Sequence, residues 1–151
     1  MSLRRQMRIT GLHHVTLIAR DLQRTTAFYR DTMGLALVDQ EANPDDPTAR
    51  HFAFGDVNGT PGTLVTFLEY PAMPEGTVGV GSTHHIALAV ESAEELEAWR
   101  DYLRGQRVHT SEIFDRGRFR SLYLRDPDGH IVEIATRGPG VGPSGPRAGN
   151  G

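Results

Sequence analysis

The chain has 151 residues, 38% hydrophobic and 23% charged, with a net charge of -3, a balance that suits one soluble-type domain and excludes a basic nucleic-acid footprint. It has no cysteine, so disulfides, thiolate metal sites and cysteine nucleophiles are ruled out. No apolar run reaches the ~18 residues of a membrane span, and the start MSLRRQMRIT lacks the apolar stretch of a secretory signal, so a cytoplasmic setting is expected.

The first strand is predicted over HHVTLIA, with Val15, Leu17 and Ala19 on one face and His14, Thr16 and Ile18 on the other. Asp21 then caps a predicted helix, LQRTTAFYRDTM, closed by Gly34, with Leu22, Ala27 and Phe28 turned to a sheet. Three β-like runs follow: LALVDQE, RHFAFGD and TLVTFLEY. NPDDPT reads as a surface loop between strands, DVNGTPG as a turn, and PAMPEGTVGVGS as a linker.

The same order then recurs. STHHIAL repeats GLHHVTL, with the histidine pairs 71 positions apart (14 to 85). At that offset His13/His84, His14/His85, Val15/Ile86, Leu17/Leu88, Ala27/Ala98, Phe28/Trp99 and Gly34/Gly105 coincide, the mark of a duplicated unit. Ser92 caps the helix AEELEAWRDYLR, closed by Gly105, with Leu96, Ala98 and Trp99 towards the sheet. The strands RVHTSEI, RSLYLRD and HIVEIAT follow, with DPDG as a turn between the last two. The expected fold class is therefore α+β, two βαβββ modules: module one over residues 8–70, a linker over 71–82 and module two over 83–137. GPGVGPSGPRAGNG, residues 138–151, cannot bury a core and is expected to be a disordered tail.

Each first strand carries a histidine, His14 or His85, and each last strand a glutamate, Glu69 or Glu133. A single strand histidine usually packs or faces water; recurrence in both copies points to a shared metal cleft. Two histidines and one carboxylate make the facial triad of non-haem Fe(II) sites, whereas a fourth protein oxygen suits Ni(II), Zn(II) or Mn(II) in an isomerase. His13 falls with Val15 and Leu17 and is expected to pack. His51, His109 and His130 are expected to be structural or surface residues.

HVTLIARDLQRTTAFYRDTMGL and SLYLRDPDGHIVEI resemble the vicinal oxygen chelate superfamily of glyoxalase I, fosfomycin and bleomycin resistance proteins and extradiol dioxygenases. The resemblance covers Ile9 to Thr136. GLHHVTLIARD, NPDDPTARHFAFGD, PGTLVTFLEYP and DRGRFRSLYLRDPDGH are similar to ring-cleaving dioxygenases that act on hydroquinones. The resemblance implies curved mixed sheets around a metal cleft, and Fe(II) held by His14, His85 and Glu133, with Glu69 as a candidate fourth ligand and Mn(II), Ni(II) or Zn(II) as alternatives. It implies polar partners at Thr16, His84, Arg116 and Tyr123: Arg116 to steady a phenolate, Tyr123 to hydrogen-bond a substrate oxygen, His84 to move protons. It further implies a dihydroxylated aromatic substrate, hydroquinone or catechol, with O2. The rival expectations are a glyoxalase I-like metal-dependent lyase or isomerase, and a bleomycin-resistance-like binding protein. Those dioxygenases usually have four modules and this chain has two, so a homodimer is expected. No nucleic-acid or membrane partner is implied.

Overall fold

The structure, a computed structural model, describes residues 3–139. The expected tail falls, from residue 140 on, outside the described residues. The chain divides into two compact units, Met1–Met73 and Pro74–Gly151. After a short helix α1 (Leu3–Gln6), unit one holds β1 (His14–Ala19), α2 (Leu22–Thr26) running into a π-helical segment (Ala27–Thr32), β2 (Ala36–Asn43), β3 (Asp46–Gly55) and β4 (Leu64–Glu69). Unit two holds β5 (Ile86–Val90), α3 (Ala93–Gly105), β6 (Phe114–Asp115), β7 (Arg120–Arg125) and β8 (Ile131–Thr136). Each unit has one four-stranded mixed sheet, ordered β1-β4-β3-β2 and β5-β8-β7-β6, with its first and last strands parallel. The duplication read from the histidine pairs is thus a duplication of topology. No helix of the described residues is long and apolar enough to cross a membrane.

Alternation along the strands builds the cores. In unit one Ala19, Phe52, Phe54, Val65 and Phe67 are buried with Leu22, Phe28 and Tyr29 of the helical segment. Tyr29 packs on Phe67 and Phe54 with ring centroids 4.9 and 5.8 Å apart. In unit two Leu122, Leu124, Val132 and Ile134 meet Leu96 and Leu103 of α3. Asp21 caps α2 by accepting a hydrogen bond from the Gln23 amide, and Ser92 caps α3 through Glu95.

Several local expectations need correction. The first helix is not regular: Met33 N–H donates to Phe28 O, five residues back, and this wider turn lets the adjacent Phe28 and Tyr29 both enter the core. Ala27 and Ala98 are exposed, not turned to the sheet; their coincidence reflects helix propensity, and Leu103 supplies the anchor instead. Gly34 closes its helix with φ +78°, and Gly105 is the last residue of α3, although the left-handed residue there is Arg107, φ +62°. Of NPDDPT, expected as a surface loop, only Pro44 and Asp45 form the turn, with Asn43 Oδ1 accepting from the Asp45 amide; Asn43 ends β2 and Asp46, Pro47 and Thr48 begin β3. RVHTSEI forms no strand. Ser111 N–H donates to Tyr123 O while Ser111 Oγ accepts from Tyr123 N–H, so a side chain replaces the next rung of the ladder.

Candidate metal centre

The strongest cluster of chemistry lies in module two, on the sheet face away from α3. Strand register puts Glu133 of β8 beside Ala87 of β5 and beside Tyr123 of β7, and His85 immediately precedes β5. His85 Nε2 lies 3.3 Å from Glu133 Oε1, and Glu133 is only 4% exposed. An unprotonated imidazole nitrogen and a carboxylate oxygen repel at that separation unless a cation or a proton lies between them. Two ligands ~2.1 Å from one ion and at right angles stand ~3 Å apart, so the pair fits adjacent positions on a divalent metal.

The surroundings orient both groups. His84 Nδ1 and His85 Nδ1 are 2.9 Å apart, which leaves His85 Nε2 directed at Glu133. The Tyr123 ring meets His85 edge-on at 5.8 Å. Arg116 Nη2 donates to the Tyr123 hydroxyl at 3.2 Å, and its guanidinium lies over Phe114 at 4.8 Å. The turn between β6 and β7 presents Arg116: Asp115 Oδ1 accepts from the Gly117 amide, and Gly117 takes φ +85°. A second turn delivers β8, with Asp126 Oδ1 accepting from the Asp128 and His130 amides. His85, Glu133, Tyr123, Arg116 and His84 therefore come together.

Module one carries the other half of the repeat. His13 Nδ1 and His14 Nδ1 are also 2.9 Å apart, so His13 is a partner of His14 rather than a packing residue. Thr16 and Thr66 share a hydrogen bond at 2.6 Å. Their pairing places His14, Thr16 and Thr66 on one face of the sheet. Glu69 is on the other face, with Val65 and Phe67, and pairs with Ala19 at the far end of β1 from His14. There it accepts from the Leu22 amide at 2.7 Å and from Arg50 at 2.7 and 2.9 Å. The Arg50 hydrogen bonds hold its carboxyl below the usual range against the opposing effect of burial. Glu69 caps a helix; it does not share a face with His14. Counting along β4 and β8 sets the two glutamates apart, because the position equivalent to Glu133 is Thr66, and Glu69 corresponds to Thr136.

Sequence reasoning missed one feature. A cavity of about 670 Å³ opens on the His14 face of module one, with Asp39 and His51 in its wall. Asp39, Glu41 and His51 also bring three candidate ligand atoms within 4.8 Å of one another. The signal was legible: Asp39 and Glu41 alternate onto one face of a strand. His51, expected to be a structural or surface residue, is part of this wall.

Residues 11–134 match the Glyoxalase family, described as the Glyoxalase/Bleomycin resistance protein/Dioxygenase superfamily. Among curated proteins, the chain is 43% identical over 97 residues to the putative ring-cleaving dioxygenase MhqE of Bacillus subtilis, covering 64% of this chain and 32% of MhqE. It is 33% identical over 136 residues to the putative ring-cleaving dioxygenase MhqA of the same species, covering 90% and 43% of the two chains. It is 29% identical over 124 residues to chlorohydroquinone/hydroquinone 1,2-dioxygenase of Sphingobium indicum, covering 80% and 38%. A solved structure of a putative dioxygenase from Bacillus subtilis superposes with a TM-score of 0.78 at 32% identity, covering 85% of this chain and 41% of that one. The chain thus spans less than half the length of these relatives. With its duplicated βαβββ topology and a match over both modules, the chain belongs to the Glyoxalase/Bleomycin resistance protein/Dioxygenase superfamily.

Proposed function

We propose that the protein is a non-haem Fe(II)-dependent ring-cleaving dioxygenase acting on a dihydroxylated aromatic, a hydroquinone or a catechol. The observation that carries this reading is the His85 Nε2–Glu133 Oε1 pair at 3.3 Å, flanked by Tyr123 and Arg116. His85 and Glu133 would hold the iron together with His14, a two-histidine, one-carboxylate set that leaves positions for substrate and O2. The iron supplies the electronic link between an electron-rich ring and O2.

The chain's own residues do the rest. Arg116 has a fixed charge and steadies a phenolate oxygen. Tyr123, with its hydroxyl already accepting from Arg116, keeps its own proton to donate to a substrate oxygen. His84 sits on the Nδ1 side of His85 and exchanges protons there, and His13 does the same beside His14. Thr16 positions the open face through Thr66. The relatives named as ring-cleaving dioxygenases support the same reading. The balance of the reaction needs no external reductant, because both atoms of O2 enter the ring-opened product and the diol supplies the electrons.

The test is anaerobic loading with Fe(II), then oxygen-electrode traces with hydroquinone and catechol and mass analysis of the product formed under labelled O2. The reading expects one O2 consumed per ring opened and two labelled oxygens per product. Turnover of a thiol adduct without oxygen consumption would instead indicate isomerase chemistry. A homodimer belongs to the same proposal and is read by sedimentation.

A further inference from the structure

The two modules share a topology but not an open face. Strand register makes Thr66 the counterpart of Glu133, Ala53 the counterpart of Tyr123, and His51 the counterpart of Ser121. Module two fills its face with a carboxylate and an aromatic ring. Module one has a threonine and an alanine at those positions, and there the cavity of about 670 Å³ opens. That volume is in the range of sites for drug-sized ligands, larger than one benzenediol ring needs. His14 is in its wall, and so are Asp39 and His51. In the sheet order, Asp39 of β2 lies three strands from β1, ~14 Å at the usual strand spacing for a flat sheet. A ring bound at His14 therefore leaves room between itself and Asp39.

The far wall has unmet hydrogen-bonding capacity. Asp39 Oδ1 accepts from the Gln40 amide at 3.0 Å. Asp39 Oδ2 is 3.8 Å from His51 Nδ1, too far for a direct hydrogen bond. His51 Nδ1 is itself buried and makes no hydrogen bond among the described residues. A carboxylate only accepts, while an imidazole nitrogen either donates or accepts. A hydroxyl bridges such a pair, donating to the carboxylate and accepting from the imidazole. A methyl group or a second carboxylate cannot.

We propose that Asp39 and His51 form a specificity site for a hydroxyl-bearing substituent on the diol, at the end of the module-one cavity away from His14. This rests on the dioxygenase reading and names its substrate class: a dihydroxylated ring carrying a hydroxyalkyl arm.

The test compares hydroquinone, methylhydroquinone and (hydroxymethyl)hydroquinone on the full chain, by oxygen uptake with the Fe(II)-loaded protein and by calorimetric binding. The expected result is a preference for the hydroxymethyl over the methyl compound of roughly tenfold or more in kcat/KM and in affinity. Asp39→Ala and His51→Phe should each collapse that preference, read as the ratio of the hydroxymethyl to the methyl compound, in folded protein that still takes up iron. Asp39 is 45% exposed in its side chain, so its removal should not unfold the chain. Equal treatment of the two compounds by the native protein, or a preference that survives both substitutions, would overturn the proposal. So would one tightly held divalent ion at Asp39, Glu41 and His51, lost in Asp39→Ala. An absence of oxygen uptake with all three diols would overturn the dioxygenase reading instead. Calorimetric discrimination that depends on Asp39 would still support the specificity site.

Discussion

Replacing Glu69 with glutamine separates a structural carboxylate from a metal ligand. Glu69 Oε2 accepts from the Leu22 amide and from Arg50, both at 2.7 Å, while Oε1 accepts from Arg50 at 2.9 Å. Glutamine keeps one acceptor and turns the other into a donor, facing either the first amide of α2 or a guanidinium. It also removes a negative charge from a helix N-terminus. A hydrogen bond to a charged group contributes about 1.5–3 kcal/mol. Arg50 is 52% exposed in its side chain and recovers water, so the net loss should be about 1–2 kcal/mol. For a chain of this length that lowers Tm by about 2–8 °C.

The pH dependence has a definite sign. The folded carboxyl is held below its ordinary value, chiefly by the Arg50 hydrogen bonds. Its stabilisation is therefore complete above the unfolded carboxylate pKa of about 4.3 and is lost as pH falls through the lower folded value. The gap in Tm between native and Glu69→Gln proteins, measured by calorimetry, should be constant near neutrality and close in acid. Iron content and oxygen uptake should survive. Loss of iron without loss of stability would refute the assignment of Glu69 as a cap.

Tyr123→Phe keeps the ring against His85 but removes the hydroxyl that meets Arg116; iron should stay bound and kcat fall by about a hundredfold in steady-state oxygen uptake. Leu103→Ala empties a position that is 0% exposed beneath the second sheet and should cost about 2–5 kcal/mol in denaturant unfolding. Mixing His14→Ala and Glu133→Ala chains tests whether subunits share ligands. Recovered oxygen uptake is expected if sites combine two chains, and none if each site uses one.

The fold was legible because a duplicated chain writes its pattern twice. Pairing HHVTL with HHIAL fixed the first strands, and Asp21 and Ser92 marked both helix starts. What stayed hidden depended on register and on side chains that replace backbone. Glu69 and Glu133 looked equivalent because both lie near the end of a final strand. They differ by an odd number of positions from true equivalence, and an odd shift moves a residue to the other face. The absence of a strand over RVHTSEI turns on the Ser111 hydroxyl taking up Tyr123 N–H, which no alternation pattern encodes. Strand alternation groups His13 with the packing residues, but His13 precedes β1, where that constraint does not hold. The grouping of His85, Glu133, Tyr123 and Arg116 was anticipated from motif resemblance, and the register of β7 on β8 supplies its physical basis.

The most direct measurement is metal content per chain after anaerobic Fe(II) loading and desalting, for the native protein and for His14→Ala, His85→Ala and Glu133→Ala, each with circular dichroism as a check on folding. The account predicts one iron per native chain and near-complete loss in all three folded variants. Stoichiometric iron retained by folded His14→Ala, His85→Ala or Glu133→Ala would contradict it.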